Sequence, residues 1–404
     1  MINLGNLYVS NFLKVEEESS SNKKYPLELK MNKDIGAPSL TEMPPNSDMW
    51  GQYWYRSGTN NSMKKDLKNI VDEICSRISL KDDDLWCDIA CNDGTLLSFV
   101  PPKIKRLGID PADDSYYNES LKIADDIIQD YFSYKSFNKS IFSELKPKVI
   151  TTIAMFYDLE DPDSFIKDIV KVMDNNGVWV VQISYTPLML DQMAFDNICH
   201  EHYYYHSLSS LKILFERNGM EIIDANLNDV NGGSIRVYVQ NINRTKETFG
   251  TTPLRSVCKF RVEALLEMEK IHDISKEEVW IKFEKNIQNL KEEVVNFIKK
   301  EKANGKIIAG YGASTKGNTL LQVFGLDNTL IDCIAERSPY KFGLKTIGTN
   351  IPILSEEEVR AKNPDYLLVL PWHFINEFVE REKEFLDNGG KFIVPCPKFE
   401  IIGK

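Results

Sequence analysis

Twice in this chain a short apolar run ends in a turn that carries glycine and passes into a helix-forming segment. The first is Leu85-Trp86-Cys87-Asp88-Ile89-Ala90, running into Cys91-Asn92-Asp93-Gly94-Thr95. The second is Lys306-Ile307-Ile308-Ala309-Gly310-Tyr311, running into Gly312-Ala313-Ser314-Thr315-Lys316. Strands that alternate with helices lie parallel, because each crossover helix carries the chain back to the same end of the sheet, and parallel sheets are covered on both faces. Two such units predict two α/β domains, the second smaller than the first.

The remaining periodicity fits that frame. Met63 to Ile78 reads as an amphipathic helix with Leu67, Ile70, Val71 and Ile74 on one face. Further strands are expected at 106–110, 149–154 and 177–182, with a helix from Pro162 to Met173. Segments 220–227 and 234–239 flank Asn231-Gly232-Gly233 as a closing hairpin. Residues 253–302 are helical and charged, with a break near Asp273-Ile274-Ser275. Strands then resume at 331–335, 366–370 and 391–395. This divides the chain into an N-terminal segment (1–60), a first α/β domain (61–245), and a helical linker with a second α/β domain (246–404). Residues 1–60 show few periodic apolar runs and end in an aromatic cluster, Met49-Trp50-Gly51-Gln52-Tyr53-Trp54-Tyr55-Arg56-Ser57-Gly58-Thr59-Asn60, expected to pack as core or as a lid.

Composition narrows the function classes. The 404 residues carry 49 Lys plus Arg against 60 Asp plus Glu, a net charge of −11, which disfavours nucleic acid as a partner. No run approaches the ~20 apolar residues that span a bilayer, and the first residues do not read as a signal peptide, so no membrane partner and a cytoplasmic location are expected. Seven cysteines without a Cys-x-x-Cys pair write neither a zinc clip nor a redox motif.

The first turn suits a ribose-bearing cation. Asp110 ends the strand after Asp88 and is placed to accept both hydroxyls of a ribose. The glycine spacing of a dinucleotide fingerprint is missing, and Asp93 would repel a diphosphate. A sulfonium and an amino-acid ammonium tolerate that acid, which favours S-adenosylmethionine (SAM). The expected contacts are Asp88, Asn92, Asp93, Gly94, Thr95, Asp110 and Pro111, with Ala154 and Met155 after the 149–154 strand.

Cys199-His200-Glu201-His202-Tyr203-Tyr204-Tyr205-His206 holds three of the five histidines. Three readings compete. His202 and His206, four apart, could share a metal, although the His-Glu-x-x-His order fails at Tyr204. The rings could be hydrogen-bonded packing. Or a histidine beside Glu201 could be a base for a carbon acid. At the second turn, two glycines, two hydroxyls, Lys316 and the donors of a helix N-terminus would cradle a diphosphate, with Arg337 adding charge.

Taken together these segments resemble the sugar C-methyltransferase family, which methylates nucleotide-linked 4-keto deoxysugars with SAM. The resemblance covers nearly the whole chain. It rests on the order of Tyr53-Trp54-Tyr55-Arg56-Ser57-Gly58-Thr59-Asn60, Asn92-Asp93-Gly94-Thr95, Gly108-Ile109-Asp110-Pro111-Ala112, Phe195-Asp196-Asn197-Ile198 with His200-Glu201-His202, Asn231-Gly232-Gly233-Ser234-Ile235-Arg236, Gly310-Tyr311-Gly312-Ala313 with Lys316-Gly317-Asn318-Thr319, and Gly348-Thr349-Asn350-Ile351-Pro352-Ile353. It implies a SAM-methyltransferase Rossmann-like domain followed by a smaller Rossmann-like domain that helps hold the nucleotide sugar. It implies His202 as the base, with Glu201 and Tyr55 at the reacting centre. The implied substrate contacts are Ser57, Asn60, Cys199, Tyr204, Arg236, Tyr311, Ser314, Lys316, Asn318, Thr319 and Arg337. Three departures stand out. The paired zinc cysteines usual at the family's N-terminus are absent before Cys75, implying a shortened, metal-free remnant in residues 1–60. Cys199 replaces a usual Tyr, and Ala90 a usual Gly. The expected reaction is methylation at C3 through an enolate. O- or N-methylation of a related sugar is the enzymatic alternative, and a non-catalytic nucleotide-sugar-binding protein the other.

Overall fold

The computed structural model describes residues 1–49 and 54–403. Residues 50–53, and with them Trp50 and Tyr53 of the aromatic cluster expected as core or lid, lie outside the described residues.

The N-terminal segment is richer in strand than its sequence suggested. β1 (Ile2–Tyr8), β3 (Lys24–Asn32) and β4 (Ala37–Leu40) form an antiparallel sheet in the order β1-β3-β4, while β2 (Phe12–Lys14) leaves to pair elsewhere. The signal was a period of two in which Tyr25, Leu27 and Leu29 are buried. Pro26 and the charged Glu28 between them disguise it. Ile2, Phe12, Leu27, Leu29 and Leu40 join the core of the C-terminal domain. Trp54 closes on that core edge-to-face with Phe12, at 5.4 Å between centroids.

The central sheet contains β5 (Leu85–Ile89), β6 (Lys105–Ile109), β7 (Asp126–Ile128), β8 (Val149–Ile153), β9 (Val178–Ser184), β10 (Met220–Asn228) and β11 (Ser234–Asn241), in the order β10-β11-β9-β8-β5-β6-β7. All pairs are parallel except those of β11, which is antiparallel to both neighbours. Burial on both faces explains why β5 and β9 are mostly apolar instead of alternating. Strand order reverses between β5 and β8, and a ligand crevice opens at the carboxyl ends of strands at such a reversal. Helix α1 (Asn61–Arg77) covers one face with Met63, Leu67, Ile70, Val71 and Ile74.

Helices α2 (Thr252–Ile271) and α3 (Glu277–Ala303) break where the Asp273 carboxylate accepts both the amide and the hydroxyl of Ser275. The second sheet contains β12 (Ile308–Tyr311), β13 (Ile334–Glu336), β15 (Ile353–Ser355), β16 (Tyr366–Val369), β17 (Lys391–Val394) and β18 (Glu400–Ile402), in the order β15-β13-β12-β16-β17-β18; β14 (Leu344–Thr346) instead pairs with β2. Its strands are parallel except β18. Helix α4 (Thr315–Phe324) follows β12 directly. The architecture is thus two doubly wound α/β units, the first of Rossmann-like methyltransferase topology.

Candidate active site

A cavity of about 420 Å³ lies at the carboxyl ends of β5, β6 and β8 and reaches the start of α4. The backbone after β5 makes its first wall. Ala90, Asn92 and Gly94 all take positive φ (59°, 52° and 77°), which turns the chain sharply away from the sheet. Gly94 cannot be replaced cheaply, because a Cβ there would stand 3.0 Å from the Ser120 Cα. Ala90, where the family motif usually has Gly, adopts the left-handed conformation nonetheless.

Carboxylates edge this end. Asp110 accepts the Asn92 amide through Oδ2 and the Ala112 amide through Oδ1, each at 2.8 Å, and it faces the cavity beside Pro111. Burial raises its carboxyl above the usual range. Asp88 accepts the Thr151 hydroxyl at 2.6 Å, and burial pushes it up to about 7. Both side chains have lone pairs left for a ribose or a cation. Ala154 (φ 56°) and Met155 line the opposite wall, and Met63, Leu67, Leu96 and Ile153 give the cavity an apolar side. These residues fit SAM: carboxylates for its diol and its cationic end, and apolar surface for its base.

Asp93 and its neighbours do a different job from the one expected. The Asp93 carboxylate accepts the Gly58 amide at 2.8 Å, the Thr95 amide at 3.1 Å and the Thr95 hydroxyl at 2.6 Å. It ties the 57–59 turn to the loop after β5, so Asp93, Gly94 and Thr95 shape the wall instead of lining it. Asn92 completes the tie, accepting the Ser57 amide and donating to the Tyr55 carbonyl. Ser57 and Tyr55 therefore face the cavity. Tyr55 is 37% exposed, but that surface opens onto the cavity, and the surrounding protein with Asp93 and Asp66 holds its phenol well above its ordinary range.

The other end is built from the His-Glu-His segment. His202 is 7% exposed, and its ring lies 4.1 Å from that of Tyr157. Its Nδ1 is 2.8 Å from the Asn197 carbonyl oxygen. A carbonyl only accepts, so Nδ1 carries the proton and Nε2 is left with a bare lone pair. Burial, helped by Lys316, lowers this imidazole to about 3. Glu201 is pushed up to about 7 by burial, against the opposing pull of Lys316 and a hydrogen bond with Thr315. Lys316 extends from the first turn of α4 and donates to the Asn197 side-chain oxygen. Asp158, just past β8, faces the cavity too; burial and Glu201 raise its carboxyl, and its Oδ1 is buried without a hydrogen-bond partner.

Several expected substrate contacts stand elsewhere. Arg236 is 4% exposed and its guanidinium is taken up by Gln182, Asn69, Glu73 and Asp66 at 2.6–2.9 Å, a buried network beneath the sheet. The Tyr311 hydroxyl donates to Glu382 at 2.6 Å on the far side of the second sheet. It lines a separate cavity of about 630 Å³ whose cations, Arg360 and Arg381, are already paired with Glu382 and Glu356. Ser314 caps α4 through the Gly317 amide. Asn318 donates to the Asn11 carbonyl, and Thr319 meets the Ser10 hydroxyl at 3.3 Å, so both anchor the N-terminal segment. Tyr204 bridges to Ser39 of β4. Cys199 is buried with its thiol held high by burial. Asn60 precedes α1, where its carbonyl accepts the Lys64 amide, and Arg337 is on the surface after β13. Lys316 stands at the His-Glu end of the cavity. His206 is fully buried between the rings of Phe156 and Tyr204. Among the described residues no three His, Cys, Asp or Glu side chains converge as a metal site.

Sequence reading missed Tyr157, Asp158 and Asn197. Asp158 carried a usable signal, since it lies in the loop at the carboxyl end of a strand beside the order reversal. Asn197 sat inside a quoted motif but had no partner visible in sequence.

Comparison with known proteins agrees with this layout. Residues 63–225 match a family model described as a methyltransferase domain, and residues 229–397 one described as a C-methyltransferase C-terminal domain. The C-methyltransferase NovU of Streptomyces niveus is 28% identical over 402 residues, covering 97% of this chain and 91% of that protein. Among solved structures, the N-methyltransferase NodS of Bradyrhizobium japonicum WM9 is similar at 12% identity and a TM-score of 0.34, covering 45% of this chain and 98% of its own. The magnesium protoporphyrin IX methyltransferase of Synechocystis PCC 6803 with bound SAM is similar at 12% identity and a TM-score of 0.31, covering 44% and 78%. The fold, the two matched domains and the full-length relative make this chain a SAM-dependent methyltransferase that methylates carbon.

Proposed function

We propose that the chain methylates C3 of a nucleotide-linked 4-keto deoxysugar through an enolate, with His202 as the base. The observation that carries this reading is His202, its Nδ1–H held by the Asn197 carbonyl and its Nε2 left unprotonated, lining the same cavity that the cofactor-type carboxylates Asp88 and Asp110 edge. O- and N-methylation need no carbon acid. An imidazole whose tautomer is fixed by a backbone carbonyl, beside groups able to hold developing charge, suits proton removal next to a ketone. The His202 Nε2 takes the C3 proton, the C3–H electron pair becomes the C3=C4 bond, and the carbonyl π pair moves onto the oxygen. SAM, held by Asp88, Asp110, Asn92 and the Ala154-Met155 wall, supplies the electrophilic methyl. Its sulfur leaves as a neutral thioether, and the ketone re-forms. Tyr55, Trp54 and Tyr157 keep water from the reacting carbon.

His202→Ala should abolish exchange of the C3 proton with deuterated water while SAM still binds, and in the product of the wild type a carbon-13 methyl label should appear on carbon by NMR. Exchange undiminished in that variant removes His202 from the role. A second reading is favoured by the Glu201 carboxyl at about 7: Glu201 itself is the base. The two differ in pH dependence. With Glu201 as base the exchange rate falls as pH drops through about 7, because the carboxylate is protonated. With His202 it stays level well below 7, because that imidazole protonates only near 3.

A further inference from the structure

Five carboxyl groups, those of Asp88, Asp110, Asp158, Glu160 and Glu201, line the cavity, and against them stands one Lys or Arg side chain among the described lining residues, Lys316. An enolate oxygen formed in such surroundings meets negative charge on most sides, so the position of that single cation matters. Lys316 belongs to the C-terminal domain, yet its ammonium reaches the reacting end of the first domain. There it donates to the Asn197 side-chain oxygen, a neutral amide. An ammonium has three N–H donors. The other two have no hydrogen-bond partner and no ion pair among the described residues.

Asn197 sets the geometry. Its backbone oxygen accepts the His202 Nδ1–H and its side-chain oxygen accepts the ammonium, so one residue fixes both the base and the cation. The segment that holds Asn197 is itself buried, with Phe195, Asp196, Asn197 and Ile198 all below 2% exposed. Base and cation therefore share a rigid mount, which is what preorganised stabilisation of developing charge requires.

We propose that Lys316 is a catalytic residue, whose free ammonium N–H groups hydrogen-bond the substrate carbonyl oxygen and stabilise the enolate. This rests on the enolate reading given above. As the C–H pair becomes the C=C bond, the carbonyl π pair moves to oxygen, which accepts the Lys316 N–H without taking its proton. When the carbon gains its methyl group the pair returns and the C=O bond re-forms. The second glycine turn thus contributes to the chemistry and not to an anion cradle. Burial lowers the Lys316 ammonium from its ordinary value, and Asp196, Cys199, Glu201 and Asp158 around it oppose that pull.

The test uses the full chain and a panel of nucleoside-diphosphate 4-keto-6-deoxyhexoses. For a sugar on which the wild type exchanges its C3 proton, Lys316→Met should slow exchange at saturating sugar on the order of 10²- to 10³-fold. Dissociation constants for SAM and for the sugar nucleotide should stay within about threefold, on the view that a group acting in the transition state contributes little to ground-state binding. Lys316→Gln, which keeps one donor but not the charge, should fall between. A saturated exchange rate left unchanged, with sugar-nucleotide affinity lost tenfold or more, overturns the proposal in favour of a diphosphate contact. If Lys316→Met unfolds, the wild type alone decides. Isotope-edited infrared spectroscopy of a carbon-13 ketone, bound with S-adenosylhomocysteine present, should show the carbonyl stretch moved to lower frequency, and an unmoved band overturns the proposal. A wild type that exchanges no proton from any sugar in the panel refutes the substrate reading instead, whereas exchange retained in the variants refutes only the role of Lys316.

Discussion

The turn after β5 and the turn after β12 are built alike and end up in the same cavity with opposite character. Each follows a parallel strand beside the point where strand order reverses, and each leads into a helix or helical turn. The first offers carboxylates, Asp88 and Asp110, with Asp93 bracing the loop from behind. The second offers a cation, Lys316, but Ser314, Asn318 and Thr319 are spent on capping α4 and on anchoring the N-terminal segment. A shared local motif therefore fixes only where a ligand can approach. What occupies the neighbouring space decides which of its polar groups remain free.

The largest effect that would break this contrast is at Asp110. Asp110→Ala should weaken SAM binding on the order of 10²-fold by calorimetry, since it removes charged acceptors worth about 1.5–3 kcal/mol each. Asp110→Asn, which still accepts one backbone amide, should lose less. If Asp110→Ala instead spared SAM and weakened the sugar nucleotide, the two turns would have to exchange roles.

A smaller, roughly tenfold effect tests the acid edge by pH. Asp88 titrates at about 7 in the free protein. A cation bound beside it favours the carboxylate, so binding releases a proton. SAM affinity should rise as pH increases toward about 7 and level off above it, falling by at most about tenfold per pH unit below. Asp88→Asn should flatten that profile; a slope that persists in the variant assigns the proton to another group.

The smallest effect separates the reacting imidazole from its neighbour. His206 is buried neutral, its imidazole lowered to about 3 by burial. Its folded pKa lies below the unfolded value of about 6.5, so the unfolded chain binds the extra proton and stability is lost as pH falls below about 6.5. The stability difference between the wild type and His206→Asn, from urea unfolding, should shift against the wild type by about 1.4 kcal/mol per pH unit in that range. Methyl transfer at pH 8 should change far less than in His202→Ala. A His206→Asn variant as inactive as His202→Ala, with SAM binding intact, would move the chemistry along the segment.

Much of this was legible in the sequence because it is local. Strand positions, the positive-φ turn at Asn92-Asp93-Gly94, the hairpin around Asn231-Gly232-Gly233 and the helix break near Asp273 each follow from residues a few positions apart. The site was only half legible. Asp110 could be named from its strand and His202 from the family resemblance, but Arg236 could not be withdrawn without seeing Asp66 and Glu73 close on it, 170 and 163 residues away in sequence. The strands of residues 2–40 escaped notice because β1 packs against α3 and α4, elements far along the chain.

By itself the sequence determined the two α/β units, their order and the carboxylates at the mouth of the first, since backbone conformation and apolar period are set by near neighbours. Only the tertiary structure decided that Asn197, through one backbone and one side-chain oxygen, joins His202 of one domain to Lys316 of the other. Contacts across 119 residues of chain are set by how whole sheets and helices pack, and no local pattern encodes them.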